Sequence, residues 1–412
     1  MRILLWHGYL LGGTGSNVYT RALAHEWSGA GHDVVVVCQE RHPERYDLGG
    51  ARVVVPELPG GLLPVFVLDR YEGLEAKLLP DFTAAERDAY VAANAAALRE
   101  LMPADAVFAN HVLLGAPVAR AAGAPFAVKA HGSELEYSIR GNAGLEAWAR
   151  ESLADARAVF VGSEHIRAVL EDVVGHVERV HEVPPGVDVE EFAPEPRPAA
   201  LAALIEEARR DPDDGDERHP DRGNAERFAA FFSEDTPVVL YFGKLIENKG
   251  VHVLLEALHG IDARAVIVGF GDYRDELEAL APPGTLFTGA LEHRHLRHLL
   301  PLCDLAVVPS IFPEAFGMVA AEAASAGVLP VVADHSGLAE VAAGIAAELP
   351  AGQAELLTFP AGDAGALGDR LRDLLVLTPE ERREAGLVAR RAVERRWGWP
   401  RVAARLLEPF NN

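Results

Sequence analysis

The chain has 412 residues, 49% hydrophobic and 24% charged, with a net charge of −24 from 38 Lys and Arg against 62 Asp and Glu. That length exceeds one hydrophobic core of ordinary size and predicts two domains. The acidity argues against a nucleic-acid backbone or an anionic bilayer as partner, so neither nucleic-acid binding nor peripheral membrane contact is expected. It serves solubility, and it would also attract a cationic acceptor. Cys38 and Cys303, the only cysteines, lie in or beside apolar runs and suit two reduced, buried thiols. The first apolar run, Arg2–Trp6, is too short for a signal-peptide core. No run approaches the ~20 apolar residues that span a bilayer. A cytoplasmic protein is expected.

Short β-branched runs alternate with longer Ala-, Leu-, Glu- and Arg-rich segments, the rhythm of an α/β fold with doubly wound parallel sheets. The first strand, at 2–6, leads into Gly12-Gly-Thr-Gly-Ser-Asn17. Glycines there let the backbone approach an anion, although a plain tight turn explains them equally well. Gly12 and Gly13 are the candidate ligand contacts. Val18 stands where the dinucleotide fingerprint has its third glycine, which argues against a nicotinamide or flavin cofactor. A helix is predicted over 18–30, its apolar Val18, Leu23 and Trp27 interleaved with Arg21, His25 and Glu26 and closed by Gly29-Ala-Gly31. Further strands are expected at 33–38, 52–55, 106–109, 126–129, 158–162 and 180–183. Lys129-Ala-His-Gly-Ser-Glu134 places His131 at a strand's carboxyl end, where it can bond a sugar hydroxyl or stabilise developing positive charge; a merely polar loop histidine is the alternative. Asn110, with its neighbour His111, and Tyr137 and Arg140 also follow first-half strands and are candidate acceptor contacts. Arg140 would meet a phosphate or carboxylate, with a surface salt bridge as its competing fate.

Val183-Pro-Pro-Gly-Val-Asp-Val-Glu-Glu-Phe-Ala-Pro194 is a stiff connector and marks the domain boundary. The expected division is 1–190, 191–395 and a terminal helical segment 396–412 that packs back on the first domain. Residues 209–224 contain almost no apolar side chain and read as a mobile surface insertion, either a solvated loop or a lid. Strands then resume at 237–242, 265–268, 285–288, 305–308 and 329–332, and a helix follows at 379–396. Gly243-Lys-Leu-Ile-Glu-Asn-Lys-Gly250 puts Lys244 and Lys249 at a strand end, before a helix beginning near Val251. Ammonium groups there suit a diphosphate leaving group; surface lysines on a turn are the bland alternative. Gly269-Phe-Gly271 reads as a tight turn, and Thr288-Gly-Ala-Leu291 as main chain available to a nucleobase.

The most specific segment is Pro313-Glu-Ala-Phe-Gly-Met-Val-Ala-Ala-Glu-Ala-Ala-Ser-Ala-Gly327. It places Glu314 in a loop and Glu322 on the second turn of a small-residue helix. Two fixed acceptors beside free helix N–H groups fit a sugar nucleotide: carboxylates for hydroxyls, amides for the diphosphate.

These segments, in this order, resemble the retaining glycosyltransferases of family 4, of GT-B architecture: two Rossmann-like domains facing across a cleft. Glu314 and Glu322, with seven residues between, match the family's EX7E motif. The resemblance implies that Glu322 holds the donor ribose and Glu314 contacts the transferred sugar. Lys249 would sit on the diphosphate, with Gly243, Lys244, Phe316 and Gly317 nearby, while Gly12, Gly13 and His131 act from the first domain. His131, Lys249 and Glu314 are thus the expected catalytic residues. Lys244 departs from the family's usual arginine, and an ammonium lacks the bidentate fork. The implied reaction is metal-independent hexosyl transfer with retention, by front-face attack. A nucleotide sugar, a UDP-sugar being the commonest choice, is co-substrate and no cofactor is needed. The acceptor and the oligomeric state are not specified by any motif. A sugar-nucleotide epimerase of the same architecture and a non-catalytic nucleotide-sugar-binding protein are the competing readings. A hydrolase carboxylate pair is disfavoured because Glu314 lies on the donor side of the corner.

Overall fold

Runs of Val, Leu, Ile and Phe bounded by turn residues become buried parallel strands, because a strand covered on both faces has no polar side to present. A computed structural model describes residues 1–12, 15–68, 71, 73–212 and 218–411. The chain divides into two compact units: Met1–Gly186 with Trp399–Asn412, and Val187–Gly398.

Among the described residues, unit 1 is built on a seven-stranded sheet. Its strands are β1 Arg2–Trp6, β2 Asp33–Val37, β3 Arg52–Val54, β6 Ala106–Asn110, β7 Phe126–Lys129, β8 Ala158–Val161 and β9 Val180–Glu182. They run parallel in the order β3-β2-β1-β6-β7-β8-β9. Register is fixed at the centre, where Ile3 lies between Val34 and Ala106. A separate parallel pair, β4 Leu62–Val65 and β5 Glu75–Leu78, was not anticipated; Pro64 and the exposed Glu75 give it no strand signature. The first helix, Gly15–Gly29, starts three residues earlier than its apolar pattern suggests. It buries Tyr19, Leu23 and Trp27, and the Trp27 indole N–H donates to the Ala403 carbonyl at 2.9 Å. The amphipathic helix Trp399–Leu407 contributes Val402, Leu406 and Leu407 to this same core. Gly186 lies against Trp399, where an added Cβ would come within 2.2 Å of the indole.

Among the described residues, unit 2 holds a six-stranded sheet. Its strands are β10 Val238–Phe242, β11 Arg264–Val268, β12 Thr285–Phe287, β13 Leu305–Val308, β14 Leu329–Ala333 and β15 Thr358–Phe359. They are parallel in the order β12-β11-β10-β13-β14-β15. Each sheet is therefore doubly wound about a point where the chain reverses direction across the sheet, between β1 and β6 in one and β10 and β13 in the other. Ligands of such sheets bind outside the carboxyl ends of those two strands.

The polar insertion is described at its two ends, while 213–217 lie outside the described residues. Helices Arg197–Ala208 and Asn224–Phe231 flank it, and its described ends are pinned by charge. Asp211 accepts from Arg294 at 2.5 Å and lies 2.9 Å from the His295 ring. Asp221 takes both guanidinium arms of Arg274, at 2.8 and 2.7 Å. Pro220 bridges Gly289, the Asp221 N–H donates to the Thr288 carbonyl at 2.8 Å, and the Ala290 N–H donates to the His219 carbonyl. Main-chain groups expected to face a nucleobase at Thr288 and Ala290 are thus spent on the insertion.

Candidate functional site

In unit 2, the loops after β10 and β13 are stitched together at the reversal point. The Asn248 carbonyl accepts from the Ile311 N–H at 3.0 Å and the Phe312 N–H at 3.3 Å. Gly250, at φ 67°, lies so close to β13 that a Cβ would come 2.0 Å from the Pro309 carbonyl oxygen. Gly250→Ala should therefore cost about 3 kcal/mol, from the left-handed backbone and the clash together; the denaturant midpoint will report it.

This stitching brings Lys249 to Glu314, whose Nζ and Oε1 are 2.5 Å apart with the side chains 32% and 23% exposed. Glu314 is held by its backbone as well: its N–H donates to Ser336 Oγ at 2.9 Å, and its carbonyl accepts from the Gly337 N–H at 3.0 Å. Phe316 is buried with its ring edge-on to Trp397, and Gly317, at φ 109°, turns the chain into the helix Met318–Ser325. Glu322 sits on that helix's second turn. Among the described residues its carboxyl makes no hydrogen bond or ion pair. Burial pushes it up to about 7, with His293 opposing and Glu191 adding to the rise. The helix is anchored by Arg390, which donates to the Ser325, Phe192 and Val189 carbonyls. Gly243 and Lys244 are exposed at the β10 end, and the Lys244 carbonyl accepts from the Tyr241 hydroxyl at 2.8 Å. Lys249 and Glu314 are thus joined, with Glu322 on the following helix; Lys244 pairs with neither carboxylate.

In unit 1, residues following β1, β6 and β7 converge. His131 Nε2 lies 2.8 Å from Asn110 Oδ1, and Asn110 Nδ2 donates to Thr20 Oγ1 at 3.0 Å. The His131 ring meets Tyr19 edge-on at 5.1 Å and lies 4.7 Å from the His111 ring. Burial, with His111, Lys129 and His7 adding to it, holds His131 well below the ordinary histidine value, so it is neutral. Glu134, wholly buried, accepts from the His131 N–H at 3.0 Å and lies 3.4 Å from His111 Nδ1. Lys129 donates to the Val183 carbonyl at 2.6 Å, and burial lowers it to about 7.

Two expected acceptor contacts have other work in the structure. Asn110 is buried and committed to His131 and Thr20, so it orients the histidine. Arg140 gives its guanidinium to Glu136 at 2.8 Å and Asp172 at 2.5 Å, the salt-bridged fate. Tyr137 is 57% exposed. At Gly12 a side chain would meet the Tyr46 hydroxyl at 2.5 Å, a packing reason for glycine, and Gly13 lies outside the described residues. Sequence reasoning missed His335 and Ser336, although Asp334-His-Ser-Gly337 directly follows β14, the position that signals site residues elsewhere. Among the described residues no group of three or more His, Cys, Asp and Glu is arranged to hold a metal ion, and no helix is long and apolar enough to cross a membrane.

Comparison with known proteins bears on this arrangement. Residues 14–186 match the model of the glycosyl transferase 4-like domain, and residues 223–390 that of glycosyl transferases group 1. A D-inositol 3-phosphate glycosyltransferase of Xylanimonas cellulosilytica is 31% identical over 246 residues, 57% of this chain and 51% of the relative. A GDP-mannose-dependent phosphatidylinositol monomannoside mannosyltransferase of Mycolicibacterium smegmatis is 29% identical over 72% of each chain. The chain spans half or less of several other curated relatives it matches, 30% of one and 50% of another. Among solved structures, sucrose-phosphate synthase of Thermosynechococcus elongatus superposes with a TM-score of 0.70 at 19% identity, over 98% of this chain and 97% of that one. HepE of Anabaena, in complex with UDP and glucose, gives 0.70 at 17% identity over 98% of each. With both halves matched by glycosyltransferase models and two doubly wound sheets in place, the chain belongs to the family 4 glycosyltransferases and has their GT-B architecture.

Proposed function

We propose that the protein is a retaining glycosyltransferase that moves a hexosyl group from a nucleotide sugar to an acceptor hydroxyl without a metal ion. The observation that carries this reading is the Lys249–Glu314 pair at the unit 2 reversal point, with the unpartnered Glu322 carboxyl on the next helix. A partly buried carboxyl without a partner is poorly solvated, so its retention points to a ligand that supplies hydroxyl donors. Glu322 receives the ribose hydroxyls, Glu314 faces the sugar, and Lys249 sits on the diphosphate with the exposed Lys244 beside it. Phe316 and Gly317 offer main-chain amides, and Gly243 leaves room at the strand end. In unit 1, the neutral His131 is a second candidate sugar contact and Gly12 a candidate anion contact. Tyr137 remains the acceptor-side candidate.

In the reaction the bond between the anomeric carbon and the diphosphate oxygen breaks. The acceptor oxygen bonds the same face of that carbon, and its proton passes to the leaving diphosphate. Charge grows on the phosphates as the bond breaks, and the ammonium groups stabilise it without giving up a proton. The buried, unpaired Cys38 and Cys303 agree with a cytoplasmic location.

A UDP-sugar is the first candidate donor, and the relative named for GDP-mannose makes GDP-mannose the second. Thermal unfolding in the presence of UDP-glucose, GDP-mannose and ADP-glucose tests the reading. One of them should stabilise the protein by about 2.7 kcal/mol at a hundredfold excess over its Kd. No shift with any of the three would remove the donor site.

A further inference from the structure

We propose that Ser336, backed by His335, is a positioning residue for the reaction: it holds the Glu314 backbone so that the carboxylate meets the donor sugar. The inference rests on the donor-site reading above and extends it to residues after β14, which that reading leaves out.

The hydrogen bonds form one chain whose protons can all be assigned. His335 Nε2 lies 2.7 Å from the Ser310 carbonyl, which can only accept, so Nε2 carries the ring proton. Nδ1 is then the acceptor, and at 3.0 Å it takes the Ser336 hydroxyl proton. That leaves the Ser336 oxygen lone pairs facing the Glu314 N–H at 2.9 Å. The next residue completes the grip, since the Gly337 N–H donates to the Glu314 carbonyl at 3.0 Å. Both main-chain groups of Glu314 are therefore fixed by two consecutive residues that open the helix Ser336–Ala346. The approach is close: a Cβ on Gly337 would come 2.5 Å from Phe316 Cα. Because His335 also binds Ser310, whose neighbours Ile311 and Phe312 donate their N–H groups to the Asn248 carbonyl at 3.0 and 3.3 Å, the contact continues to the loop that carries Lys249.

Ser336 reaches this place at a cost. Its φ is 52°, in the left-handed region that disfavours residues with a Cβ, and glycine would sit there without strain. A strained non-glycine residue whose only side-chain group grips the residue bearing a catalytic carboxylate is placed for that grip.

The test compares Ser336→Gly and Ser336→Ala with wild type. Glycine relieves the strain and alanine keeps it, while both remove the hydroxyl, so thermal stability should rise or hold for the first and fall for the second. Calorimetry with UDP and UDP-glucose, and with GDP and GDP-mannose, separates the diphosphate from the sugar. Both variants should bind the nucleoside diphosphate within about twofold of wild type. Both should lose about fivefold to tenfold of the extra affinity that the sugar provides, so KM for donor should rise by a similar factor while kcat also falls. His335→Phe, which leaves the hydroxyl without its acceptor, should show a smaller loss of the same kind. Wild-type sugar affinity and kcat in Ser336→Gly, with Glu314→Gln inactive, would overturn the positioning role alone. If Glu314→Gln also keeps full activity, or the wild type binds none of the four nucleotides, the donor-site reading falls and this inference with it.

Discussion

Replacing Lys249 with alanine is expected to lower kcat by about two to three orders of magnitude, the range for losing one preorganised group aimed at developing charge. The ammonium serves two partners in turn. Without donor it lies 2.5 Å from Glu314, and with donor its charge is needed on the diphosphate. Because that charge peaks as the glycosidic bond breaks, the loss should fall on kcat as well as on kcat/KM. Glu322→Ala should behave differently, raising donor KM sharply with a smaller effect on kcat, since ribose hydroxyls do not change during the reaction. Steady-state kinetics on the two variants separates the roles, and unchanged kcat/KM in both would reject the site.

The second large effect is a gain. Glu322→Gln should stabilise the donor-free protein at pH 8 by about 2 kcal/mol while weakening donor binding. Burial raises this carboxyl from 4.5 to about 7, so the folded chain holds the proton more tightly than the unfolded one. That preference favours folding below pH 4.5 and is lost as pH climbs through 7, leaving a poorly solvated charge by pH 8. Glutamine carries no such charge, so its advantage should appear at pH 8 and vanish at pH 4.5. Thermal unfolding at the two pH values reads it directly; an equal shift at both would show that packing, not ionisation, is responsible. Donor binding should move the other way in the wild type. The ionised carboxylate is the stronger acceptor, so Kd should tighten about tenfold from pH 6 to pH 8.

Most strands were legible because a parallel strand buried on both faces leaves an unbroken apolar run, as Val238-Val-Leu-Tyr-Phe242 does for β10. The misses have physical causes. β15 is two residues long and has no pattern to read, and β4 contains a proline. The helix Asn224–Phe231 begins inside a segment whose charge density imitates a loop; of its described charges, Asp221 pairs with Arg274 and Arg227, and Asp211 with Arg294. At the site, Lys249, Glu314 and Glu322 were visible from residue type and spacing. Their arrangement was not, because the Lys249–Glu314 contact joins residues 65 positions apart and the Glu314–Ser336 bond spans 22. Asn110 shows the converse: at the carboxyl end of its strand, it faces a neighbouring side chain, a distinction only packing makes.

The helix Trp399–Leu407 has a consequence for biosynthesis. It seals the core around Tyr19, Leu23 and Trp27, yet the whole of unit 2 is translated between those residues and the helix that covers them. On the ribosome, unit 1 must wait with an uncovered apolar face while its successor emerges and folds, a state open to chaperone capture or aggregation. Vectorial synthesis thus finishes the second unit before it can finish the first.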